Sequence, residues 1–273
     1  MPHNPLPRHR YTLAHRFEVA GRQGVATDGT SLWVSGSTAL YRYTLDGTLL
    51  QADESALDGL ALPANHLGDI DFFEGQVYAG AERFADGVGH DIQVLTFDAD
   101  TLARSGGFRV APGSGQREVS GVAVDAASRT VWLSSWVGGE SGRYLYQHDL
   151  DTGTYHRRVH LQPVPQWIQG VAAHQGALYV TADDGTADDG EPDHLYRVDV
   201  RPDATNAAVV LEHTFTEFER LGEIEGLCFS PDGQHLLVHH NRGRQIVLGM
   251  PRGLYPGYDR EIHEVYVYRV EVG

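Results

Sequence analysis

One short stretch recurs along this chain and constrains its fold more than any other feature. In the plainest copy, residues 169–183 (QGVAAHQGALYVTAD), a small residue leads into a short apolar strand, a Gly turn and a second strand of alternating pattern. The other copies begin at Gln23, Gly68, Ser120 and Glu225. Strands and tight turns repeated in this way along a whole chain are typical of a β-propeller.

The copies predict the number of blades and how the ring closes. Each copy supplies the two inner strands of a four-stranded antiparallel blade, and the segment after it supplies the two outer strands. The last copy lacks an outer strand, whereas residues 10–20 (RYTLAHRFEVA) precede the first copy with nothing to pair with. We therefore predict an all-β, five-bladed β-propeller that is closed by its N-terminal strand. Residues 1–273 then form a single domain, with residues 1–9 disordered.

The charge of the chain excludes several partners and chemistries. It has 37 acidic and 21 basic residues and a net charge of -16, and none of the basic residues is a lysine. Nucleic acids and anionic membranes need a basic surface, so neither is expected as a partner. A chain without lysine has no Schiff-base lysine and no P-loop lysine. A small molecule, cationic or neutral, suits this composition better.

The termini and the single cysteine bear on where the protein works. Cys228 has no second cysteine with which to form an internal disulfide, and we interpret it as an inert buried thiol. The N-terminal segment lacks the apolar core of a signal peptide, and no apolar run approaches the roughly 18 residues of a membrane span. We expect a cytoplasmic monomer, although a mature chain whose signal peptide had been removed would look the same.

Several motifs resemble a known family. They are GVATD with LWVS in blade one, GVAVD with VWLS in blade three and GLCFSPDG in blade five. These resemble the calcium-dependent lactonase propellers of the gluconolactonase and SMP-30 type and, more loosely, NHL and phytase-like propellers. The resemblance implies a propeller fold and a metal-dependent hydrolytic activity. That family has six blades, whereas the copies here predict five.

Departures from the repeat are the best places to look for chemistry. Four copies begin their inner strand with glycine, but blade two has Asp69 there and Asp71 two residues later. Residues at i and i+2 of a strand project to the same face, so both carboxyl groups point toward the axis. A bound cation or hydrogen-bonded neighbours would relieve the cost of burying them. Both interpretations stay open: a functional site, or a structural role in which Asp71 accepts hydrogen bonds from an adjacent blade.

Polar residues also mark one rim of the predicted channel, because first strands begin and second strands end at the same side of a propeller. Glu118, Ser120 and Glu223 belong to the same columns of aligned copies. The residues predicted at this rim are Gln23, His66, Asp69, Glu82, Trp136, Gln169, Asp183, Glu225 and Asn241.

Oxygen ligands of this kind suit a hard divalent cation. We predict calcium, with manganese or zinc as alternatives, and a hydrated acidic channel mouth as the alternative to a metal site. The expected metal ligands are Asp69, Glu82, Asp183, Glu225 and Asn241.

These residues suggest a reaction. A cation could polarise a carbonyl oxygen while Asp69 or Glu225 takes a proton from water, with Asp71 as a further catalytic candidate, which would hydrolyse a small lactone or ester. The alternatives are a propeller glycosidase with paired carboxylates and a small-molecule or carbohydrate-binding propeller without catalysis. The residues expected to hold the ligand are Gln23, His66, Trp136, Gln169, Tyr255 and Tyr258.

Overall fold

The computed structural model describes residues 6–137, 139–186, 189–218, 222–247 and 250–273. Nearly all regular structure in these ranges is β-strand, and the helical segments are two short 3-10 helices, Pro112–Ser114 and Ser141–Arg143. In the described part of the chain, no helix has the length and apolarity that a membrane span requires.

The strands form sets of four, which we call units 1 to 5 in the order of the sequence copies. The first strand, β1, spans His9–Glu18 and belongs to unit 5. Unit 1 consists of β2 (Val25–Thr27), β3 (Ser31–Ser35), β4 (Leu40–Thr44) and β5 (Leu49–Asp53). Unit 2 consists of β6 (His66–Phe73), β7 (Gln76–Ala85), β8 (Val88–Asp98) and β9 (Arg104–Arg109). Unit 3 consists of β10 (Val122–Asp125), β11 (Thr130–Leu133), β12 (Tyr144–Asp149) and β13 (Tyr155–Gln162).

The remaining strands complete the description. Unit 4 consists of β14 (Ile168–His174), β15 (Ala177–Ala182), β16 (His194–Asp199) and β17 (Asn206–Thr214). Unit 5 is completed by β18 (Gly222–Phe229), β19 (His235–Arg242) and β22 (Ile262–Val272). Between β19 and β22 lies a separate hairpin of β20 (Arg244–Val247) and β21 (Met250–Leu254).

Each sequence copy forms the first two strands of one unit, and tight turns join them. In the fourth copy, Gln175 and Gly176 have φ angles of +47° and +74°. A two-residue hairpin turn needs positive φ at both central positions, because this twist matches that of the flanking strands. Glycine therefore occurs in this turn because it adopts a positive φ angle readily.

The N-terminal strand pairs with the C-terminal one. Strand β1 runs antiparallel to β22, from His9 opposite Val272 to Glu18 opposite Glu264. It begins at His9 rather than at residue 10, and the backbone N–H groups of Arg8 and His9 donate to the buried Glu212 carboxylate. Residues 8 and 9, expected to be disordered, are thus held in place, while residues 1–5 lie outside the described residues.

The units follow one another around a central axis. The inner strands contact each other in the order β2, β6, β10, β14, β18 and back to β2. The apolar core follows the same order. Among the described residues, each cluster of buried apolar side chains lies between two successive units, and the cluster between units 5 and 1 completes the circle. Trp33 of unit 1, for example, stacks on Phe72 of unit 2 with ring centroids 4.9 Å apart. This is the arrangement of a β-propeller.

Polar side chains add hydrogen bonds between units. Ser35 Oγ donates to the carbonyl of Gly68 over 2.8 Å, and Thr181 Oγ1 donates to that of Glu225 over 2.6 Å. Each hydroxyl lies near the end of a second strand and reaches the next unit. These two hydroxyl groups therefore help to hold neighbouring units together.

Units 3 and 4 share one eight-stranded sheet, which the sequence did not predict. Their outer strands β13 and β17 pair in parallel where residues 160–162 lie beside residues 206–208. Two rim connections are also paired: β7 and β8 continue to a turn at Asp86 and Gly87, and β19 continues to Arg242. In each case backbone pairing extends past the residues that carry the repeat pattern.

Candidate functional site at the channel mouth

A pocket of about 230 Å³ opens at one end of the central channel. Most of its polar lining comes from residues at or just before the starts of the inner strands, and Ser37 and Trp136 follow the ends of second strands. The lining residues from the inner-strand starts are Gln23, His66, Glu118, Ser120, Gln169, Glu223 and Glu225. The structure therefore brings together at least one residue from the inner-strand start of every unit.

The inner strands carry β-bulges at this rim. In unit 5 the pairing shifts between Ile224 and Leu227, and in unit 4 it shifts between Ile168 and Gly170. Strand β6 of unit 2 shifts in the same way. A bulge adds one residue to a strand and changes the direction in which its side chain points. Glu225 lies in the bulge of unit 5, and its side chain lines the pocket.

Two glutamates of unit 5 line the same wall of the pocket. The carboxyl groups of Glu223 and Glu225 interact electrostatically, and each shifts the pKa of the other. Asn241 Nδ2 donates to Glu225 Oε1 over 2.7 Å, and Gln169 Nε2 donates to Glu223 Oε1 over 3.1 Å. Arg22 Nη2 lies 3.5 Å from Glu223 Oε2. Amide donors and one guanidinium thus fix both side chains.

The two carboxyl groups differ in acidity. Burial, reinforced by the neighbouring Glu223, raises the pKa of Glu225 well above its usual value. Burial also raises the pKa of Glu223, and Arg22 opposes the shift of both groups. Glu225 is therefore the more readily protonated of the two.

A second acidic group lies at units 2 and 3. Glu82 is fully buried, and its Oε2 accepts a hydrogen bond from the N–H of Val119 over 3.0 Å. Its Oε1 lies 3.6 Å from Nδ1 of His66, and neither atom has a hydrogen-bond partner among the described residues. Glu118 Oε2 accepts from the N–H of Trp136 over 2.5 Å.

Burial keeps this second group uncharged. It raises the pKa of Glu82 to about 8 and lowers that of His66 to about 4. It also raises the pKa of Glu118 well above its usual value, with a further increase from Glu82. Near neutral pH the pocket therefore contains far less negative charge than its composition suggests.

Asp69, predicted as a catalytic residue and metal ligand, lies at the axis rather than in the pocket lining. Its Oδ2 accepts a hydrogen bond from the N–H of Val171 over 3.1 Å. The inner strands of units 1 and 5 approach this carboxyl group so closely that a Cβ at Gly24 or Gly226 would overlap it. The glycines of the repeat thus leave room for one acidic side chain from unit 2, which joins inner strands across the axis.

Asp71 has the structural role that was weighed against a catalytic one. Its Oδ2 accepts from the N–H of Val124 in unit 3 over 2.7 Å, and its Oδ1 accepts from the N–H of Phe72 over 2.8 Å. Burial raises the pKa of Asp71 to about 7, although both hydrogen bonds oppose the shift. The structure therefore assigns this carboxyl group to packing between units.

The five predicted metal ligands do not meet at one point. Asn241 and Glu225 contact each other directly, whereas Glu82 lies beside His66 and Asp69 faces backbone N–H groups. The other predicted ligand is Asp183, whose pKa is raised well above its usual value by burial and further by the charges of Asp193 and Glu223. Within the described ranges, no three His, Cys, Asp or Glu side chains are placed to hold a metal ion. The residues therefore do not fit the single divalent cation that the sequence predicted.

Aromatic residues at the mouth also differ from the prediction. Trp136 lines the pocket and packs against Trp167, with ring centroids 5.0 Å apart. Tyr255 and Tyr258, expected as ligand contacts, are not among the lining residues. Tyr258 instead packs beside Arg242, which donates to its hydroxyl over 3.4 Å. The aromatic lining therefore consists of Trp136 and Phe84 rather than of Trp136 and the two tyrosines.

Sequence reasoning missed four lining residues, which are Arg22, Asn65, Phe84 and Ile246. Arg22 and Asn65 directly precede Gln23 and His66, so the columns could have been extended by one position. Phe84 lies near the end of β7, and Ile246 lies in β20 of the separate hairpin. Nothing in the repeat pattern marks those two.

Comparisons with known proteins bear on the fold. No family model matches this chain, and no curated protein sequence matches it significantly. Among solved structures, glutaminyl cyclase from Myxococcus xanthus is similar with a TM-score of 0.63 and 12% identity, covering 98% of this chain and 99% of that one. Aldose sugar dehydrogenase from Streptomyces coelicolor, in its PQQ-bound form, gives 0.53 and 14%, covering 98% and 100%.

A gluconolactonase from Xanthomonas campestris is also similar, with a TM-score of 0.50 and 12% identity over 100% of this chain and 99% of that one. At such identities the likeness concerns the fold. It agrees with the resemblance to gluconolactonase-type propellers seen in the sequence motifs. The chain is a β-propeller similar in fold to these proteins.

Proposed function

We propose that the protein is a five-bladed propeller whose channel-mouth pocket hydrolyses a small lactone or ester. The cyclic order of the inner strands and of the core clusters supports the blade number. The observation that carries the reaction is the presence of Glu223 and Glu225 on one pocket wall, each held by an amide donor. An acid and a base held side by side are what hydrolysis of a carbonyl compound needs.

The steps follow from the protonation of the pair. Glu223, the more ionised partner, accepts a proton from a water molecule whose oxygen attacks the carbonyl carbon. Glu225 donates its proton to the ring or ester oxygen as the bond from that oxygen to the carbonyl carbon breaks, so the products are a carboxylic acid and an alcohol. Transfer of the proton from Glu223 to Glu225, directly or through water, then restores the starting state of the pair.

Arg22 adds a donor close to this pair. Its Nη2 interacts with Glu223 and with Glu261, over 3.5 and 3.2 Å. Its Nε is buried and has no hydrogen-bond partner among the described residues. A donor in such a site stabilises the negative charge that develops on a carbonyl oxygen during attack. We assign Arg22 this role.

The comparisons favour a lactone or ester over a glycoside. The gluconolactonase neighbour acts on a lactone by its name, and the aldose sugar dehydrogenase acts on a sugar. A monosaccharide-sized lactone is therefore a reasonable first substrate.

The test is a hydrolysis screen over sugar lactones, simple lactones, aryl esters and aryl glycosides. It compares the wild type with the double variant Glu223→Gln/Glu225→Gln and with Glu54→Gln, an exposed glutamate outside the pocket. We expect hydrolysis of at least one lactone or ester, loss in the double variant and no change in the control.

Equal rates in all three proteins would exclude the pair as the catalytic groups. Hydrolysis of glycosides alone would favour a glycosidase. Saturable binding without turnover would show a binding propeller instead.

A further inference from the structure

Behind the pocket wall, neighbouring strands of unit 5 carry a chain of hydrogen-bonded side chains. Asn241 of β19 lies opposite Glu223 of β18 and opposite His263 of β22. Its Nδ2 donates to Glu225 Oε1 over 2.7 Å, and its Oδ1 lies 2.7 Å from Nδ1 of His263. Neither Asn241 nor His263 is among the lining residues of the pocket. The chain therefore leads from the proposed acid, Glu225, to residues outside the pocket.

The backbone of Arg22 fixes which way the Asn241 amide points. Asn241 Nδ2 also donates to the carbonyl oxygen of Arg22 over 2.9 Å. A carbonyl oxygen can only accept, so a flipped amide would place its own oxygen against that carbonyl and lose the bond. Asn241 is only 2% exposed, so water has little access to replace the lost bond. Both amide hydrogens are thus committed, one to Arg22 and one to Glu225.

This orientation decides where the hydrogens on both neighbours lie. Because the amide nitrogen donates to Oε1 of Glu225, that oxygen is an acceptor, and the proton of the neutral acid belongs on Oε2. On the other side, Oδ1 of Asn241 can only accept, so Nδ1 of His263 must carry a hydrogen. Burial lowers the pKa of His263, so its ring is neutral near pH 7 and holds its single hydrogen at that nitrogen.

We propose that Asn241 and His263 are positioning residues for the hydrolytic reaction, which together turn Glu225 so that its Oε2 carries the proton given to the leaving oxygen. This inference rests on the proposed function and adds two residues to it. A general acid works only when its proton lies within reach of the atom that receives it. Hydrogen bonds from behind the pocket wall prevent the rotation that would exchange the two carboxyl oxygens. Because the same amide bonds to the backbone of Arg22, it also ties that residue to Glu225.

The charged groups around Glu225 set the direction of the expected pH effect. Burial is the largest cause of its raised pKa, Glu223 on β18, Asp183 after β15 and Glu261 before β22 add to it, and Arg22 after β1 opposes it. The N–H donor at Oε1 stabilises the ionised carboxylate and therefore also opposes the shift. Removing this donor while leaving the charges in place should raise the pKa of Glu225 further.

The experiment compares Asn241→Leu, His263→Ala and His263→Asn with the wild type on the best lactone. The matched control is Asn206→Leu, at an exposed asparagine of β17. We expect kcat to fall about tenfold in Asn241→Leu and about threefold in His263→Ala, with little change in KM, because the acid is misplaced while the pocket remains. His263→Asn offers an amide donor in place of Nδ1 and should recover most of the activity. The control should match the wild type.

The pH profile separates positioning from a merely structural role. In Asn241→Leu the alkaline limb of kcat should move to higher pH by about one unit, because the acid loses the donor that favours its ionised form. A loss of folded protein would lower the rate without moving this limb, and melting temperatures measure that loss. If Asn241→Leu does not fold, the limb of His263→Ala compared with that of His263→Asn decides, with a smaller shift in the same direction.

Nitrogen-15 NMR of the wild type gives a readout that needs no substrate. It should show a hydrogen on Nδ1 of His263, with the signal assigned by its absence in His263→Asn. A neutral ring with its hydrogen on Nε2 instead would overturn the proposed orientation of the amide and with it the inference.

The two proposals can fail separately. If the wild type hydrolyses a lactone but Asn241→Leu and His263→Ala keep its kcat and pH profile, the positioning role is wrong and the hydrolase stands. If the wild type hydrolyses nothing, the hydrolase proposal is wrong, and carbon-13 titration of the Glu225 carboxyl group decides whether Asn241 orients it. That titration should give a higher pKa in Asn241→Leu than in the wild type, and an unchanged value would overturn the inference.

Discussion

Two inner strands of this propeller each carry a pair of acidic residues at positions i and i+2, and the two pairs have different roles. In unit 2, Asp69 and Asp71 accept hydrogen bonds from backbone N–H groups of units 4 and 3. In unit 5, Glu223 and Glu225 bond to side chains and line the channel-mouth pocket. The same spacing thus serves packing in one unit and a candidate active site in the other.

The difference lies in what surrounds each pair. Asp69 sits where inner strands meet at the axis, so neighbouring N–H groups are within reach of its short side chain and leave no room for a ligand. Glu225 lies in a β-bulge at the rim, where its longer side chain reaches the pocket. An acidic pair that breaks a repeat therefore marks a special environment, but its position along the axis decides its role.

The largest expected effect is on activity in unit 5. Glu225→Gln should lower kcat about 10² to 10⁴-fold, because the variant cannot donate a proton to the leaving oxygen. Gln still accepts the hydrogen bond from Asn241, so we expect the free energy of unfolding to change by less than about 1 kcal/mol. Steady-state kinetics on the best lactone and urea unfolding measure the two quantities. A kcat within threefold of the wild type would place Glu225 outside the chemistry.

The next effect is on stability in unit 2. Asp69→Ala should destabilise the protein by about 2 to 4 kcal/mol, because it leaves a buried N–H of Val171 without an acceptor and opens a cavity at the axis. The activity per folded molecule should remain. Urea unfolding with Asp69→Asn as the matched variant provides the measurement, since Asn keeps one acceptor and should cost less. An unchanged midpoint in the Ala variant would contradict the structural role.

A smaller effect concerns the pH dependence of stability. Burial raises the pKa of Asp71 from 3.8 to about 7 in the folded protein, so the folded state binds this proton more tightly than the unfolded state does. The contribution of protonated Asp71 to the free energy of unfolding is therefore complete below about pH 4 and is lost as the pH rises toward 7. Between pH 4 and 8, the melting temperature of the wild type should fall more with rising pH than that of Asp71→Asn. Parallel curves for the two proteins would show that Asp71 does not titrate in this range.

The smallest effect is expected outside both pairs. Tyr258 was predicted to contact the ligand, but its ring packs near Arg242 and is absent from the pocket lining. Tyr258→Phe should change kcat/KM less than about twofold and the unfolding free energy by no more than about 0.5 kcal/mol. Kinetics on the substrate used for Glu225→Gln test this. A tenfold rise in KM would mean that the segment around Tyr258 covers the pocket when a ligand binds.

The repeat in the sequence determined much of this protein by itself. The five copies predicted the strand pairs, and the aligned columns predicted that Gln23, His66, Gln169 and Glu225 meet at one rim. These inferences succeeded because strand alternation and the order of strands in a blade are local rules that any copy obeys. The same columns contained Glu118 and Glu223, although the sequence pattern gave them no chemical role.

Tertiary structure alone decided which polar residues are free to act. The acceptor group of Asp69 is satisfied by Val171, a residue 102 positions away in the sequence. The pairing of β13 with β17 and the pKa shifts of Glu223 and Glu225 likewise depend on how the units approach one another. Hydrogen-bond partners, burial and the resulting pKa values come from residues distant in the chain, and no pattern within a single copy encodes them.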